Sequence, residues 1–345
     1  MEENKLVVAL DAMGGDNAPA AIVQGAVNAV AHNPRLSVIL VGREDAVQAE
    51  LDKAPYDTER IRIVHAPEVI GTDEVPTVAV RRKRDSSLIV GLNLVKKGEA
   101  MAFVSAGSTG ALLTGATVIV GRIKGVQRPA LGLSLTTING SVFLLDSGAN
   151  VDCKPVYLEQ FAHMGRVYAK YVLGIAAPTV GLANIGVEEE KGNALTKEAY
   201  GLLQGVPGFV GNVEVREVPY GPVDVLVCDG FVGNVILKVC EGLSGALLKL
   251  IKSEITKGPY KLAAAMLKTP FQNIKKRFDS EAVGGAPLLG LNALVVKAHG
   301  NSSPRGIENA LNVCASFIDN DVVGKIRENI RVEDKRAAKT EEPEA

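Results

Sequence analysis

The chain reads as an α/β protein with a three-layer α/β/α architecture around a mostly parallel, mixed sheet. Three observations predict this. Short buried apolar runs alternate with helix-length segments from Leu6 to about Asn320. The 36 glycines suit many tight turns between strands and helices. Aromatics are only 4% and Trp is absent, so the core must rest on Val, Ile, Leu and Ala.

Taken in order, Leu6–Leu10 is a buried strand that ends in Asp11-Ala12-Met13-Gly14-Gly15-Asp16-Asn17. Asp16 or Asn17 can cap the helix that follows over 18–31, whereas Asp11 closes a buried strand and needs a partner. Ser37–Val41 and Arg60–His65 read as strands, with a helix over 44–53 between them. Helices are expected over 76–84 and 88–95; the first carries Arg81, Arg82, Lys83 and Arg84, either a solvated face or a contact for an anionic partner. The strand Ala100–Val104 then opens the turn Ser105-Ala106-Gly107-Ser108-Thr109-Gly110 and an apolar helix. Gly107 and Gly110 permit close backbone approach, and Ser108 or Thr109 can cap that helix. A strand, a small-residue turn and a helix N-terminus favour an anion, because free N–H groups and the macrodipole point the same way.

Beyond Val120 the rhythm changes. Leu131–Thr137 and Ser141–Leu145 flank Asn139-Gly140, which favours a type I′ hairpin, so an antiparallel pair enters the sheet or clasps two halves. The second run ends in Asp146-Ser147-Gly148-Ala149-Asn150. A long helix over 155–173 leads to the strand Thr179–Ala183, which closes on Asn184-Ile185-Gly186 and then Glu188-Glu189-Glu190-Lys191. Asp224–Cys228 ends in Asp229-Gly230-Phe231-Val232-Gly233-Asn234 at a helix start. Leu294–Ala298 closes on His299, and Ser303-Pro304 reads as N-cap and N1 of a helix to Asn320. The expected organisation is one catalytic unit over 1–324, with 242–282 a protruding basic amphipathic segment and 325–345 an unstructured tail.

Several chemistries are disfavoured. Net charge is −1, against a nucleic-acid role for the whole protein. The four cysteines are scattered without metal-ligand spacing, which with no signal peptide suits a reducing cytoplasm and no metal site. No charge-free apolar run reaches the roughly 18 residues of a spanning helix. There is no G-x-S-x-G elbow, and no G-x-G-x-x-G follows a strand with an acid some 20 residues on, so neither a serine triad nor dinucleotide binding fits. No cofactor is expected. In a parallel sheet the strand ends gather along one edge where ligands bind. Such a set of anion-accommodating turns suits a reaction in which phosphate is itself the nucleophile. The protein then orients an acyl donor and stabilises an oxyanion. A thioester suits best, since a thiolate leaves with little acid help.

Six turns, in order, carry a family resemblance. Asp11–Pro19, Ser105–Leu113, Leu145–Pro155, Asn184–Asn193, Asp229–Lys238, and Gly284–Gly290 with Lys297–Ser302 resemble the PlsX-type phosphate acyltransferase family. That turn in the family more often has Asn where this chain has Ser108, and an aromatic often stands where this chain has Ala282-Val283. The resemblance implies the homodimeric fold shared with isopropylmalate dehydrogenases and phosphotransacetylases. It implies transfer of a fatty acyl group from acyl carrier protein to inorganic phosphate, giving acyl phosphate for phospholipid synthesis. A phosphotransacetylase-like enzyme using acyl-CoA and a non-catalytic scaffold for lipid synthesis are the alternatives.

By that resemblance Lys191 contacts phosphate or the oxyanion and Asn234 orients the acyl carbonyl. Ser105, Gly107, Ser108, Thr109 and Gly110 form the phosphate turn. Asp11, Gly14, Gly15, Asp16, Asp146, Asn150, Asn184, Asp229 and His299 line the site, Asp229 by fixing its loop. Between Lys249 and Arg277 eight basic residues face one acid, Glu254, and apolar residues recur at helical spacing on either side of Gly258-Pro259. This hairpin can pack in a dimer, dock an acidic carrier protein, or lie on an anionic membrane; Leu262 and Met266 at its tip are the expected membrane contact. The expected location is therefore cytoplasmic and peripherally membrane-associated, near a downstream membrane acyltransferase.

Overall fold

A computed structural model of the chain describes residues 5–257, 267–277 and 284–330. The strands form two sheets. The seven-stranded sheet has the order β3-β2-β1-β4-β12-β11-β5, from β1 (Leu6–Asp11), β2 (Leu36–Gly42), β3 (Ile61–His65), β4 (Ala102–Ser105), β5 (Ala130–Leu131), β11 (Ala286–Leu289) and β12 (Leu294–Lys297). The five-stranded sheet has the order β6-β7-β10-β8-β9, from β6 (Leu133–Thr137), β7 (Gly140–Leu145), β8 (Val180–Asn184), β9 (Phe209–Glu214) and β10 (Val225–Val227). Pairing is parallel except where β11 meets β12 and β5, and where β6 meets β7. The α/β class and the mixed sheet agree with the sequence.

What the sequence reads as one strand over 131–137 is broken at Gly132. The Phe143 ring occupies the space a Cβ would need there, and the Gly132 N–H turns to the Pro287 carbonyl at 3.0 Å. The break passes the chain from one sheet to the other, while the antiparallel β6–β7 pair itself lies within the five-stranded sheet and makes that sheet mixed. The hairpin itself is tight, with Thr137 opposite Gly140. It is not type I′: Gly140 has φ +140°, and Asn139 is not among the positive-φ residues as that turn requires.

Alternate residues of each strand point to opposite faces, and both faces are covered, as in parallel sheets. Leu10, Val104 and Val296 join Phe143, Leu145 and Val227 in one apolar layer that spans both sheets. It is closed by α1 (Ala20–His32), α6 (Pro155–Tyr171), α7 (Ala194–Leu203) and α10 (Pro304–Asp319). Ala9, Phe103 and Val295 face the other way, under α3 (Pro76–Arg82), α4 (Ser87–Lys96) and α5 (Thr109–Ile119). On the five-stranded sheet that opposite face packs against the start of α8 (Gly230–Ile255). The short α2 (Glu44–Leu51) joins β2 to β3.

Two boundaries differ from expectation. The chain does not loosen at Lys325: a helix over 322–330 buries Val322, Ile326 and Ile330, an i, i+4, i+8 stripe the charge-rich composition hides. The helix expected to start at Asp229–Asn234 does start there, at Gly230, but it runs 26 residues to Ile255 without a break at Gly242, where the basic segment was expected to begin. By length and composition alone it is long and apolar enough to cross a membrane, although its apolar run is not free of charges. Its buried residues are Gly230, Gly233 and Ile236, while Phe231, Val235, Val239, Leu243, Leu247 and Leu250 form an exposed stripe. A second basic helix, α9 (Lys268–Arg277), follows; Leu262 and Met266 lie outside the described residues.

Candidate active site

The expected site residues gather at the carboxyl ends of the strands, in two groups, one per sheet. In the seven-stranded sheet β1, β4 and β12 lie side by side, so the turns after Asp11, Ser105 and Lys297 meet. In the five-stranded sheet β7, β10 and β8 are adjacent, which joins the turns after Leu145, Val227 and Asn184. The two edges approach each other where β5 passes into β6. Leu131, at that junction, donates its N–H to Asp146 Oδ1 at 3.0 Å, and Gly132 bonds Pro287 beside Ala286, the cross-strand partner of Lys297.

The first group is built around a buried acid. Asp11 is 2% exposed and accepts from Ser105 Oγ at 2.7 Å and from the Met13 N–H at 3.1 Å. Burial pushes its pKa up, opposed by hydrogen bonds from Ser87, Ser105, Met13 and Gly14. Ser105 Oγ in turn accepts the Gly107 N–H at 3.0 Å. That spends one of the N–H groups the sequence offered to an anion; Gly107 shapes the turn instead. The donors left at the mouth of α5 are those of Ser108, Thr109 and Gly110, for the Ala111 N–H is capped by Ser108 Oγ at 3.4 Å. Gly14 is held so close that a Cβ would stand 2.5 Å from Asp11 Oδ2 and 2.7 Å from the Gly107 nitrogen. Gly15, at φ +100°, lies against Ala106 and the Gly300 carbonyl, and the Gly300 carbonyl accepts the Asp16 N–H at 2.8 Å.

Asp16 is exposed and, like Asn17, does not cap α1, whose N-cap is Pro19. Asn17 instead donates to Asn301 Oδ1 at 2.9 Å and ties the β1 turn to the β12 turn. His299 is also exposed, its Nδ1 taking the Asn301 N–H at 3.2 Å.

Lys297 is the residue the sequence reading missed. It stands opposite Ser105 in the β12–β4 pairing, and its ammonium reaches the carbonyls of Ala106, at 3.3 Å, and Ala298. Burial lowers its pKa from 10.5 to about 8, against the pull of Asp11 and Asp16. The available signal was a lysine placed to end a buried strand, the pattern that singled out Asp11.

The second group turns on Asp146, which is fully buried and accepts the N–H groups of Leu131, Gly148, Ala149 and Asn150 as well as the Asn150 carboxamide. Burial pushes its pKa up. Asn150 passes its other contacts to the Pro129 carbonyl and, through its own carbonyl, to the Gly230 N–H at 2.7 Å. Asp229 caps α8 by accepting the Val232 N–H at 2.8 Å, which fixes its loop. One turn on, Asn234 is exposed, and its Oδ1 lies 3.8 Å from where a Cβ on Gly148 would stand. At the next strand end Asn184 donates to the Lys191 carbonyl at 3.1 Å and accepts the Ile185 N–H at 2.8 Å, so it shapes the Lys191 loop rather than facing a ligand. Lys191 is exposed and forms no ion pair among the described residues, although three glutamates precede it. The set Arg81, Arg82 and Arg84 is exposed on and just beyond α3, whereas Lys83 is tied to Glu74 at 2.6 Å. Among the described residues no three His, Cys, Asp or Glu side chains form a metal-binding group.

Comparison with known proteins gives the family and the fold. A family model described as "Fatty acid synthesis protein" matches residues 6–325. A phosphate acyltransferase from Clostridium acetobutylicum is 50% identical over 323 residues, covering 93% of this chain and 98% of that protein. One from Clostridium perfringens is 49% identical over 326 residues, covering 94% and 96%. In fold, the chain matches a phosphotransacetylase from Streptococcus pyogenes with a TM-score of 0.62 at 17% identity, covering 95% of this chain and 94% of that one. It also matches the EutD phosphotransacetylase from Staphylococcus aureus with a TM-score of 0.61, again at 17% identity, covering 90% and 94%. The six ordered turns, their convergence on two facing strand edges and identity near one half over almost the whole length place the chain in the PlsX-type phosphate acyltransferase family, a family of acyltransferases.

Proposed function

We propose that the protein transfers a fatty acyl group from acyl carrier protein to inorganic phosphate, giving acyl phosphate for phosphatidic acid synthesis. The observation that carries the reading is the pair of facing strand edges. One offers the N–H groups of Ser108, Thr109 and Gly110 at the start of α5; the other offers an exposed lysine, without an ion pair among the described residues, and an exposed carboxamide. Phosphate rests on the α5 N-terminus, where the macrodipole and three N–H groups favour an anion. Its oxygen attacks the thioester carbonyl. The carbonyl electron pair moves to oxygen, and Lys191 and Asn234 stabilise and orient that oxyanion. On collapse the C–S bond breaks, the electron pair leaves with sulfur as a thiolate, and the new C–O bond completes acyl phosphate. No protein base is required, since phosphate is already a dianion near neutral pH.

The exposed stripe of α8 is the face we assign to a homodimer. The basic segment 242–282 is assigned to the carrier protein and to a peripheral membrane surface, with Leu262 and Met266 as the inserted residues.

The test is phosphate-dependent release of free carrier and acyl phosphate by purified protein, with acyl carrier protein and acyl-CoA as competing donors. Preference for the carrier supports this reading. Preference for CoA moves the protein to a phosphotransacetylase-like activity, for which the fold likeness to phosphotransacetylases is the specific argument. Carrier binding without turnover leaves a scaffold role.

A further inference from the structure

Asp11, Ser105 and Lys297 stand in one row across three adjacent strands. Lys297 is in register with Ser105, and Asp11 lies one residue beyond the Leu10–Val104 pair. Counting back by two along each strand reaches Ala9, Phe103 and Val295, which share one apolar layer, so all three side chains emerge on the face that α5 covers. The row thus reads carboxylate, hydroxyl, ammonium, beneath the turn that leads into α5.

The charges matter for an anion placed there. The donors around Asp11 all point at it, as suits a carboxylate, and Asp16 stands exposed in the adjoining turn. Two carboxylates beside a phosphate dianion repel it, and the low-dielectric surroundings of Asp11 strengthen that repulsion. Lys297 is the half-buried cation close to both acids; His299 sits two residues along its own chain. Its ammonium also holds the Ala106 carbonyl, in the turn that precedes the Ser108–Gly110 donors.

We propose that Lys297 is a positioning residue for phosphate: its half-buried ammonium clamps the Ala106 carbonyl and offsets Asp11, so that the Ser108–Gly110 donors meet a dianion without net repulsion. This rests on the reading that phosphate binds at this turn. A half-buried ammonium is a costly way to satisfy two carbonyls, and an apolar replacement often stabilises a fold. Its use here follows from the ligand's charge.

The experiment is calorimetric titration of inorganic phosphate into the full-length parent, Lys297→Met and Lys297→Arg, with phosphate-dependent turnover measured beside it. Loss of a charge-assisted contribution weakens phosphate binding in Lys297→Met by about tenfold or more, with the KM for the acyl donor little changed. Lys297→Arg restores most of the affinity. A pH series provides the readout that a structural role would not move. In the parent, phosphate affinity falls as pH rises through about 8, whereas the arginine variant, charged throughout, lacks that limb. Parent-like phosphate affinity in a folded Lys297→Met overturns the inference, and so does an identical pH limb in all three proteins. If the parent binds phosphate and turns over while Lys297→Met matches it, only Lys297 is misassigned. A parent that neither binds phosphate nor depends on it overturns the functional reading itself and the inference with it.

Discussion

On the seven-stranded side, the groups that shape the phosphate turn are buried or half-buried and already paired: Asp11 with Ser105, Ser105 with Gly107, Lys297 with Ala106. On the five-stranded side the framework is equally fixed by Asp146, yet the two residues assigned to the acyl group, Lys191 and Asn234, stand exposed at its rim. The covering helices differ in the same sense. The layer under α3, α4 and α5 is closed within the chain, whereas α8 buries three residues near its start and leaves a long apolar stripe uncovered. Under the proposed function, the contrast means that the small, rigid substrate meets a site made ready during folding. The large one then meets a side left open for something outside the protomer. Preorganisation helps most where charge is concentrated.

The comparison breaks most severely at Gly233. A Cβ there would overlap the Asp146 carbonyl oxygen, and the Cys228 sulfur would be only 3.0 Å away. Because backbone cannot yield, Gly233→Ala should lose about 3 kcal/mol in denaturant unfolding and detach the α8 N-terminus from the Asp146 loop. Unchanged stability would show that this edge is as pliable as its exposed residues suggest. Next in size, Lys191→Met keeps the stem and removes the charge. Turnover should fall on the order of 10² to 10³ with no change in melting temperature, since Lys191 has no ion pair to lose among the described residues. Near-parent turnover would return it to an ordinary solvated loop.

The open face is tested by Leu243→Glu with Leu247→Glu. Both side chains are exposed in the protomer, so unfolding should shift little, within about 0.5 kcal/mol. Sedimentation should instead show a dimer becoming a monomer. An unaltered association state assigns the stripe to some other partner.

An effect confined to alkaline pH sharpens the closed side. The Lys297 pKa is lowered from 10.5 to about 8, so between those values the unfolded chain holds a proton that the folded protein has released. The parent should therefore gain stability relative to Lys297→Met as pH rises from 8 to 10.5, and below 8 its half-buried charge should count against folding. Parallel stability curves over that window would mean the ammonium is solvated after all.

Much of this was legible in the residues themselves. The alternation of apolar strands with helices, the Ser303-Pro304 helix start and the Ser108 cap depend on local geometry, which a few neighbouring residues dictate. So does the position of the acids at strand ends, because a charge can leave a buried strand only at its rim. Three kinds of fact were decided by tertiary contact. The break at Gly132 exists because Phe143, eleven residues on, fills the place of a side chain. The helix over 322–330 persists in a charge-rich stretch because Ile326 and Ile330 find a core that local composition does not reveal. Roles within the site moved for the same reason. Gly107 changed from donor to scaffold once Ser105 Oγ took its N–H, and Asn17 joined two turns rather than capping one. Lys297 became visible only when β12 was laid against β4. The sequence by itself determined the fold class and the family, since these follow from short-range pattern. The pairing of each donor with its acceptor was left to the tertiary structure, because it joins residues as much as 285 positions apart.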